Sequence, residues 1–252
     1  MAKITNIAYS VYVDGTEEDD EIINGSEDGY HAFPNRGRYA SKSVIRAYEG
    51  NDYILNMAPS SDVTISGYTG DDTIDNRGSY ASILAEDGND SIRNLDSRVT
   101  INGGKGNDII IVPSNAVENE IVYFNGDGND TVYIYGGINS PHDGKVNNTS
   151  NKYVDKIFLA SGTIDSTLLS GNDVILKIGN GSIHLANAKG TNFSVYVSQE
   201  GKTIEFTEES TAQGDDTIIY GTPNDDTFEN SRNAVKIEAL TGNDKIKNYG
   251  NK

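Results

Sequence analysis

Five aspartates recur along the first half of the chain in one local setting. They close the segments Glu49-Gly50-Asn51-Asp52, Thr69-Gly70-Asp71-Asp72, Asp87-Gly88-Asn89-Asp90, Lys105-Gly106-Asn107-Asp108 and Asp127-Gly128-Asn129-Asp130, each followed by a short apolar run. The aligned aspartates stand 20, 18, 18 and 22 residues apart. A carboxylate is a hard anionic oxygen donor, and a glycine before it permits the positive φ that turns carbonyl oxygens outward. Together they suit calcium, which takes about 6–8 oxygens in loose geometry. A single turn offers too few; two turns one coil apart offer enough, with an ion between them and an Asp from each. Without an ion, carboxylates repeated every ~5 Å would repel by roughly 0.8 kcal/mol per pair in bulk water and about 3 kcal/mol at an effective dielectric of 20. A thin core has little surplus stability to absorb that, so the spacing predicts that folding and divalent-cation binding are coupled. Asp71 and its equivalents Asn51, Asn89, Asn107 and Asn129 are expected to face solvent.

The elements that must position these turns are legible between them. Each apolar run after a turn (Tyr53-Ile54, Thr73-Ile74, Ser91-Ile92, Ile109-Ile110, Thr131-Val132) reads as a strand. A second strand follows: Val63-Thr64-Ile65, Ser82-Ile83-Leu84, Val99-Thr100-Ile101 and Ile121-Val122-Tyr123. It is preceded by a turn opening on Asn56, Asn76 or Asn94. One coil of ~18 residues thus runs strand, Asn turn, strand, Gly-Asp turn, and self-similarity at such a period marks a solenoid. The expected fold is an all-β parallel β-roll or β-solenoid whose stacked coils bury the Ile/Val positions. Asn at the second turn either forms an amide ladder or simply tolerates turn dihedrals.

The organisation follows. Residues 1–13 read as an N-terminal strand or cap, 14–136 as a first array, and 137–150 as a polar loop. Residues 151–206 read as a β-rich capping segment, and 207–252 as the start of a second array cut off in mid-repeat. The segment Tyr220-Gly221-Thr222-Pro223-Asn224-Asp225-Asp226 echoes Asp14-Gly15-Thr16-Glu17-Glu18-Asp19-Asp20, with an inserted loop in Ser26–Lys42 of the earlier copy. Array ends expose strand edges, which is the reason to expect a cap.

Composition agrees and excludes other classes. With 35% hydrophobic residues and 27 glycines, a helical bundle is disfavoured, because glycine costs helices about 1 kcal/mol each. Fifteen tyrosines and many Val/Ile segments argue against disorder. A net charge of −18 excludes a phosphate-binding surface and so nucleic acid. No apolar run approaches the ~18 residues of a membrane span, so membrane insertion is not expected. Cysteine is absent, which leaves a metal as the available staple.

The turns resemble the glycine-rich calcium-binding repeats of RTX, or haemolysin-type, proteins (G-G-x-G-x-D-x-U-x). Gly103-Gly104-Lys105-Gly106-Asn107-Asp108-Ile109-Ile110 matches every defined position, and Asn125-Gly126-Asp127-Gly128-Asn129-Asp130-Thr131-Val132 misses the first. The others carry Tyr48, Tyr68 or Glu86 where the second glycine belongs. The segment from Gly171-Asn172-Asp173-Val174-Ile175-Leu176 through Gly181-Ser182-Ile183-His184-Leu185 resembles the β segment that follows such arrays. The resemblance implies Ca2+ held by the side chains of Asp72, Asp90, Asp108 and Asp130, with Asp52 at the array's edge. Backbone carbonyls of Gly70, Gly88, Gly104, Gly106, Gly126 and Gly128 would complete the shells, and Asp20, Asp173, Asp216, Asp226 and Asp244 are further candidates. Rolls of this family carry the motif on both edges; here the opposite edge carries Asn/Ser turns, which implies one calcium ladder.

The expected function is non-enzymatic: a calcium-stabilised structural or adhesive module of a secreted or cell-surface bacterial protein, joined to neighbouring domains of a longer repetitive chain. Its surface ligand, a glycan or otherwise, is not legible. His31, His142 and His184 lie in unlike contexts, and no Gly-x-Ser-x-Gly elbow, His-Glu-x-x-His pair or phosphate loop occurs. The alternatives are a β-helical polysaccharide-acting lyase, epimerase or hydrolase, against which Arg77, Arg93, Arg98 and Lys105 are scattered, or an export and folding tail of a catalytic domain.

Overall fold

The computed structural model describes residues 1–25, 40–113, 115–134, 155–170, 172–188, 193–206, 218–220, 227–230, 236–238 and 243–248. Most of the insertion expected in Ser26–Lys42 and all of the polar loop 137–150 lie outside them.

Two parallel sheets face each other. The first stacks β1 (Lys3–Asn6), β3 (Glu21–Asn24), β5 (Tyr53–Asn56), β7 (Thr73–Asn76), β9 (Ser91–Asn94), β11 (Ile109–Val112) and β13 (Asn129–Ile134). The second stacks β2 (Tyr12–Asp14), β4 (Val44–Arg46), β6 (Thr64–Thr69), β8 (Ser82–Asp87), β10 (Thr100–Lys105) and β12 (Glu120–Tyr123). Successive coils are in register, so Ile54, Ile74, Ile92 and Ile110 form one column. Ile45, Ile65, Ile83, Ile101 and Ile121 form the facing one. All nine are at most 2% exposed. β-Branched residues fit a pleated, buried row, and each buried Ile contributes about 1.5–3 kcal/mol of transfer free energy. The chain passes from the second sheet to the first through a Gly-Asp turn and returns through an Asn turn. The fold is the β-solenoid that the repeat implies.

The N-terminus differs from the single strand read over residues 1–13. It forms two strands, one in each sheet, because Asn6 starts a turn: its Oδ1 accepts from the Ala8 N–H at 2.8 Å and its Nδ2 donates to the Ala8 carbonyl at 3.1 Å. The alternation Ile4, Ile7, Tyr9, Val11 concealed this half-coil break.

Beyond the first array, β14 (Lys156–Leu159) and β18 (Phe193–Val197) extend the second sheet in parallel, and β17 (Gly181–Ala186) extends the first. Antiparallel strands then end the coil pattern: β16 (Asp173–Ile178) on β17, β15 (Ser166–Ser170) on β16, and β19 (Lys202–Phe206) on β18. Further on, β20 (Ile218–Tyr220) pairs with β22 (Lys236–Glu238), and β21 (Thr227–Asn230) with β23 (Lys245–Asn248), parallel in both cases. Among the described residues no helix is long and apolar enough to cross a membrane.

Candidate metal centre

The Gly-Asp turns line one edge of the stack, and their backbone explains the residue types. Two residues before each aspartate, a Cβ on Gly70 would lie 1.8 Å from the Gly50 carbonyl oxygen, and on Gly88 1.9 Å from that of Gly70. On Gly106 and Gly128 the corresponding approach is 1.6 Å. Coils can stack this closely only where no side chain intervenes. Four residues before the aspartate φ is again positive, at Gly104 (97°) and Gly126 (104°), but also at Tyr48 (75°), Tyr68 (75°) and Glu86 (80°). The non-glycine repeats therefore keep the turn conformation of the full motif and bear its strain, which is larger for bulky residues.

The aspartate side chains turn inward. Asp52, Asp72, Asp90, Asp108 and Asp130 are all 4% exposed or less. In each, Oδ1 accepts from the backbone N–H of the equivalent aspartate one coil earlier. The distances are 2.7 Å for Asp20 to Asp52, 2.8 Å for Asp52 to Asp72, and 2.7 Å for Asp72 to Asp90. They are 2.8 Å for Asp90 to Asp108 and 3.0 Å for Asp108 to Asp130. The second oxygen is stranded: Oδ2 of Asp52, Asp72, Asp90 and Asp108 is buried with no hydrogen-bond partner among the described residues. A buried acceptor without a partner is rare and expensive, and a repeated one calls for an explanation such as an ion.

Burial is the main electrostatic consequence, ahead of mutual repulsion. Desolvation pushes the carboxyl of Asp52 up to about 6 and that of Asp90 to about 6. It pushes Asp72 and Asp130 to about 7 and Asp108 to about 8. The backbone N–H bond to Oδ1 opposes the shift, and neighbouring carboxylates add to it. The donor set fits a hard cation. No three His, Asp or Glu side chains converge among the described residues, so an ion would take carboxylates from stacked turns and fill its shell with turn carbonyls. Calcium tolerates that irregular oxygen set, whereas magnesium demands near-ideal octahedral geometry.

Other candidates behave differently. Although burial alone would raise Asp20, its Oδ1 takes the Ala2 N–H at 2.7 Å and its Oδ2 the Thr16 N–H at 2.7 Å and hydroxyl at 2.9 Å, so its pKa is lowered. It heads the file fully satisfied. The Gly128 carbonyl accepts from the Tyr123 hydroxyl at 2.7 Å and the Ser182 N–H at 2.8 Å, so protein donors already engage it. Asp173 lies on β16, beside Asn187 at the opposite edge. Against the effect of burial, the Asn187 N–H at 2.8 Å and His184 Nε2 at 2.7 Å lower its pKa. Asp244 precedes β23; Asp216 and Asp226 lie outside the described residues.

Two further ladders frame the file. On the exposed flank, Asn51, Asp71, Asn89 and Asn107 each accept, through Oδ1, the backbone N–H of the equivalent residue one coil later, at 2.7–3.0 Å. Along the opposite edge a buried amide chain runs from Asn6 to Asn24 (2.6 Å), Asn56 (2.8 Å), Asn76 (2.7 Å), Asn94 (2.7 Å) and Asn119 (3.1 Å), each Nδ2 donating to the next Oδ1. Of the two readings of the Asn turns, the ladder is the one observed, and it is longer than Asn56–Asn94.

No protein-family model matches the chain, and no curated protein matches it in sequence. Among solved structures it is similar to the extracellular lipase LipA from Serratia marcescens, at 13% identity and a TM-score of 0.30. That similarity covers 79% of this chain and 39% of the lipase.

Proposed function

We propose that the chain is a calcium-stabilised structural β-solenoid module of a secreted or cell-surface protein, with no catalytic role of its own. The observation that carries this reading is the file of four buried, partnerless carboxylate oxygens one coil apart, on Asp52, Asp72, Asp90 and Asp108. A divalent ion supplies the positive charge that, among the described residues, no lysine, arginine or backbone donor brings to these oxygens. The resemblance of Gly103–Ile110 to the RTX repeat supports calcium as that ion. Extracellular calcium modules work at dissociation constants of about 10⁻⁴–10⁻³ M, so a module of this kind is stiff outside cells and loose where calcium is scarce. The cysteine-free composition leaves the ion as the staple of the stack. Circular dichroism and thermal melting in calcium and in excess chelator test the proposal. A melting temperature that rises with calcium is expected, and an unchanged melt in chelator would sink it.

A further inference from the structure

Tyr48 and Tyr68 stand where later repeats have Gly104 and Gly126, four residues before the file aspartates, and both hold φ at 75°. A bulky residue in that region is strained, and strain held at a defined place is a reason to look for a role. The turn itself needs no ring there, since Gly104 and Gly126 make it without one. What the tyrosines add is a contact between coils. Strands β4 and β6 pair with Arg46 opposite Ser66, which sets Tyr48 beside Tyr68. The Thr69 N–H donates to the Tyr48 carbonyl at 3.0 Å and the Gly50 N–H to the Thr69 carbonyl at 3.0 Å, so the backbones next to the rings are tied together. The two rings are stacked, with centroids 5.2 Å apart and an interplanar angle of 27°. Both residues are half-buried. The Tyr48 hydroxyl lies 3.4 Å from Oδ1 of Asp14, a carboxylate that Arg46 Nε holds in place at 2.7 Å.

Two phenols fixed in a stack, one of them beside a proton acceptor, have the arrangement that oxidative coupling requires. We propose that Tyr48 and Tyr68 are a modification site, joined as a dityrosine by hydrogen peroxide acting through a haem peroxidase. Each phenol loses one electron and one proton; Asp14 takes the proton of Tyr48, and water that of Tyr68. The two phenoxyl radicals bond through a carbon ortho to each oxygen. The hydrogens on those carbons return to the oxygens as the rings regain aromaticity. Two electrons and two protons reduce one hydrogen peroxide to two waters.

The new bond staples one coil to the next. It links residues 20 apart in a chain that has no cysteine, and it restricts the unfolded state as a disulfide does. Glu86 occupies the equivalent place in the following coil, so the ring stack ends at Tyr68. The site does not depend on which ion the aspartate file holds.

The test treats the intact, folded chain in dilute solution with hydrogen peroxide and a haem peroxidase, then digests the monomer for tandem mass spectrometry. The expected product is a linked peptide pair joining Tyr48 to Tyr68, two hydrogen atoms lighter than its parts, together with dityrosine fluorescence. Tyr48→Phe and Tyr68→Phe keep a ring in the stack without the phenol, and each should lose the link and most of the fluorescence. Circular dichroism checks that both variants are folded. The linked chain should melt at a higher temperature than the untreated chain in excess chelator. Tyr12 and Tyr80, 70% and 53% exposed, report that the oxidant has acted. Their oxidation without a link between Tyr48 and Tyr68, or fluorescence undiminished in both Phe variants, overturns the site. A linked chain that melts no higher overturns its role as a staple.

Discussion

Along one edge of the stack, Asn56, Asn76 and Asn94 pass hydrogen bonds from coil to coil; along the other, Asp52, Asp72, Asp90 and Asp108 stand in an equivalent file. The side chains have nearly the same shape. An amide carries a donor and an acceptor, so a repeated amide satisfies itself: Asn76 accepts from Asn56 and donates to Asn94. A carboxylate only accepts. Repeated, it takes one backbone N–H and leaves its second oxygen bare. Among the described residues the Asn edge is therefore satisfied by itself from Asn24 to Asn94, with the Nδ2 of the last amide, Asn119, left bare, while the Asp edge leaves an oxygen bare at four successive coils and needs positive charge from outside it.

Exchanging the two chemistries gives the largest expected effect. Asn76→Asp places a carboxylate against the Gly78 carbonyl and the Asn94 amide oxygen, both of which now accept from its Nδ2. A buried charge facing acceptors should cost about 3–5 kcal/mol in urea denaturation, with no rescue by calcium. The converse change, Asp72→Asn, removes a buried charge of nearly the same shape. At pH 8 in chelator, where the Asp72 carboxyl (about 7) is mostly ionised, it should stabilise by about 1–3 kcal/mol. In calcium the same variant should be the weaker one, so its effect reverses sign between the two melts.

The pH dependence follows from the same file. The carboxyls of Asp52 to Asp130 titrate in the folded chain at about 6 to about 8, above the ordinary value near 4. Between about pH 4 and 8 the calcium-free fold thus holds more protons than the unfolded chain, and its stability should fall as pH rises. Asp20 and Asp173, with lowered pKa values, oppose this weakly below about pH 4. Calcium requires the ionised form, so the increment in melting temperature that it brings should grow over the same range. Asn107→Ala, on the exposed flank, should change stability by no more than about 0.5 kcal/mol in either condition.

The strands and the aspartate file were legible because a period of about 18 residues repeats both the apolar and the Gly-x-Asp positions. The electrostatic cost was misplaced: the spacing suggested repulsion between carboxylates, whereas burial of each one dominates. Tyr48, Tyr68 and Glu86 hid the turn conformation that they share with Gly104, since their types do not advertise positive φ. Tyr123 was misaligned for a geometric reason. Matching on Asp130 sets Asn125 opposite Gly103, but the two extra residues sit in the turn Phe124–Asp127, and strand register brings Tyr123 to that place. Asn24 and Asn119 escaped notice because 32 and 25 residues separate them from their ladder neighbours Asn56 and Asn94.

Anomalous scattering from crystals grown in saturating calcium addresses the difference between the edges most directly. Peaks are predicted on the aspartate edge, beside the bare Oδ2 atoms of the file, and none along Asn56, Asn76 and Asn94. Calcium-saturated crystals with no peak on the aspartate edge, or with peaks along the asparagine edge, would contradict the account.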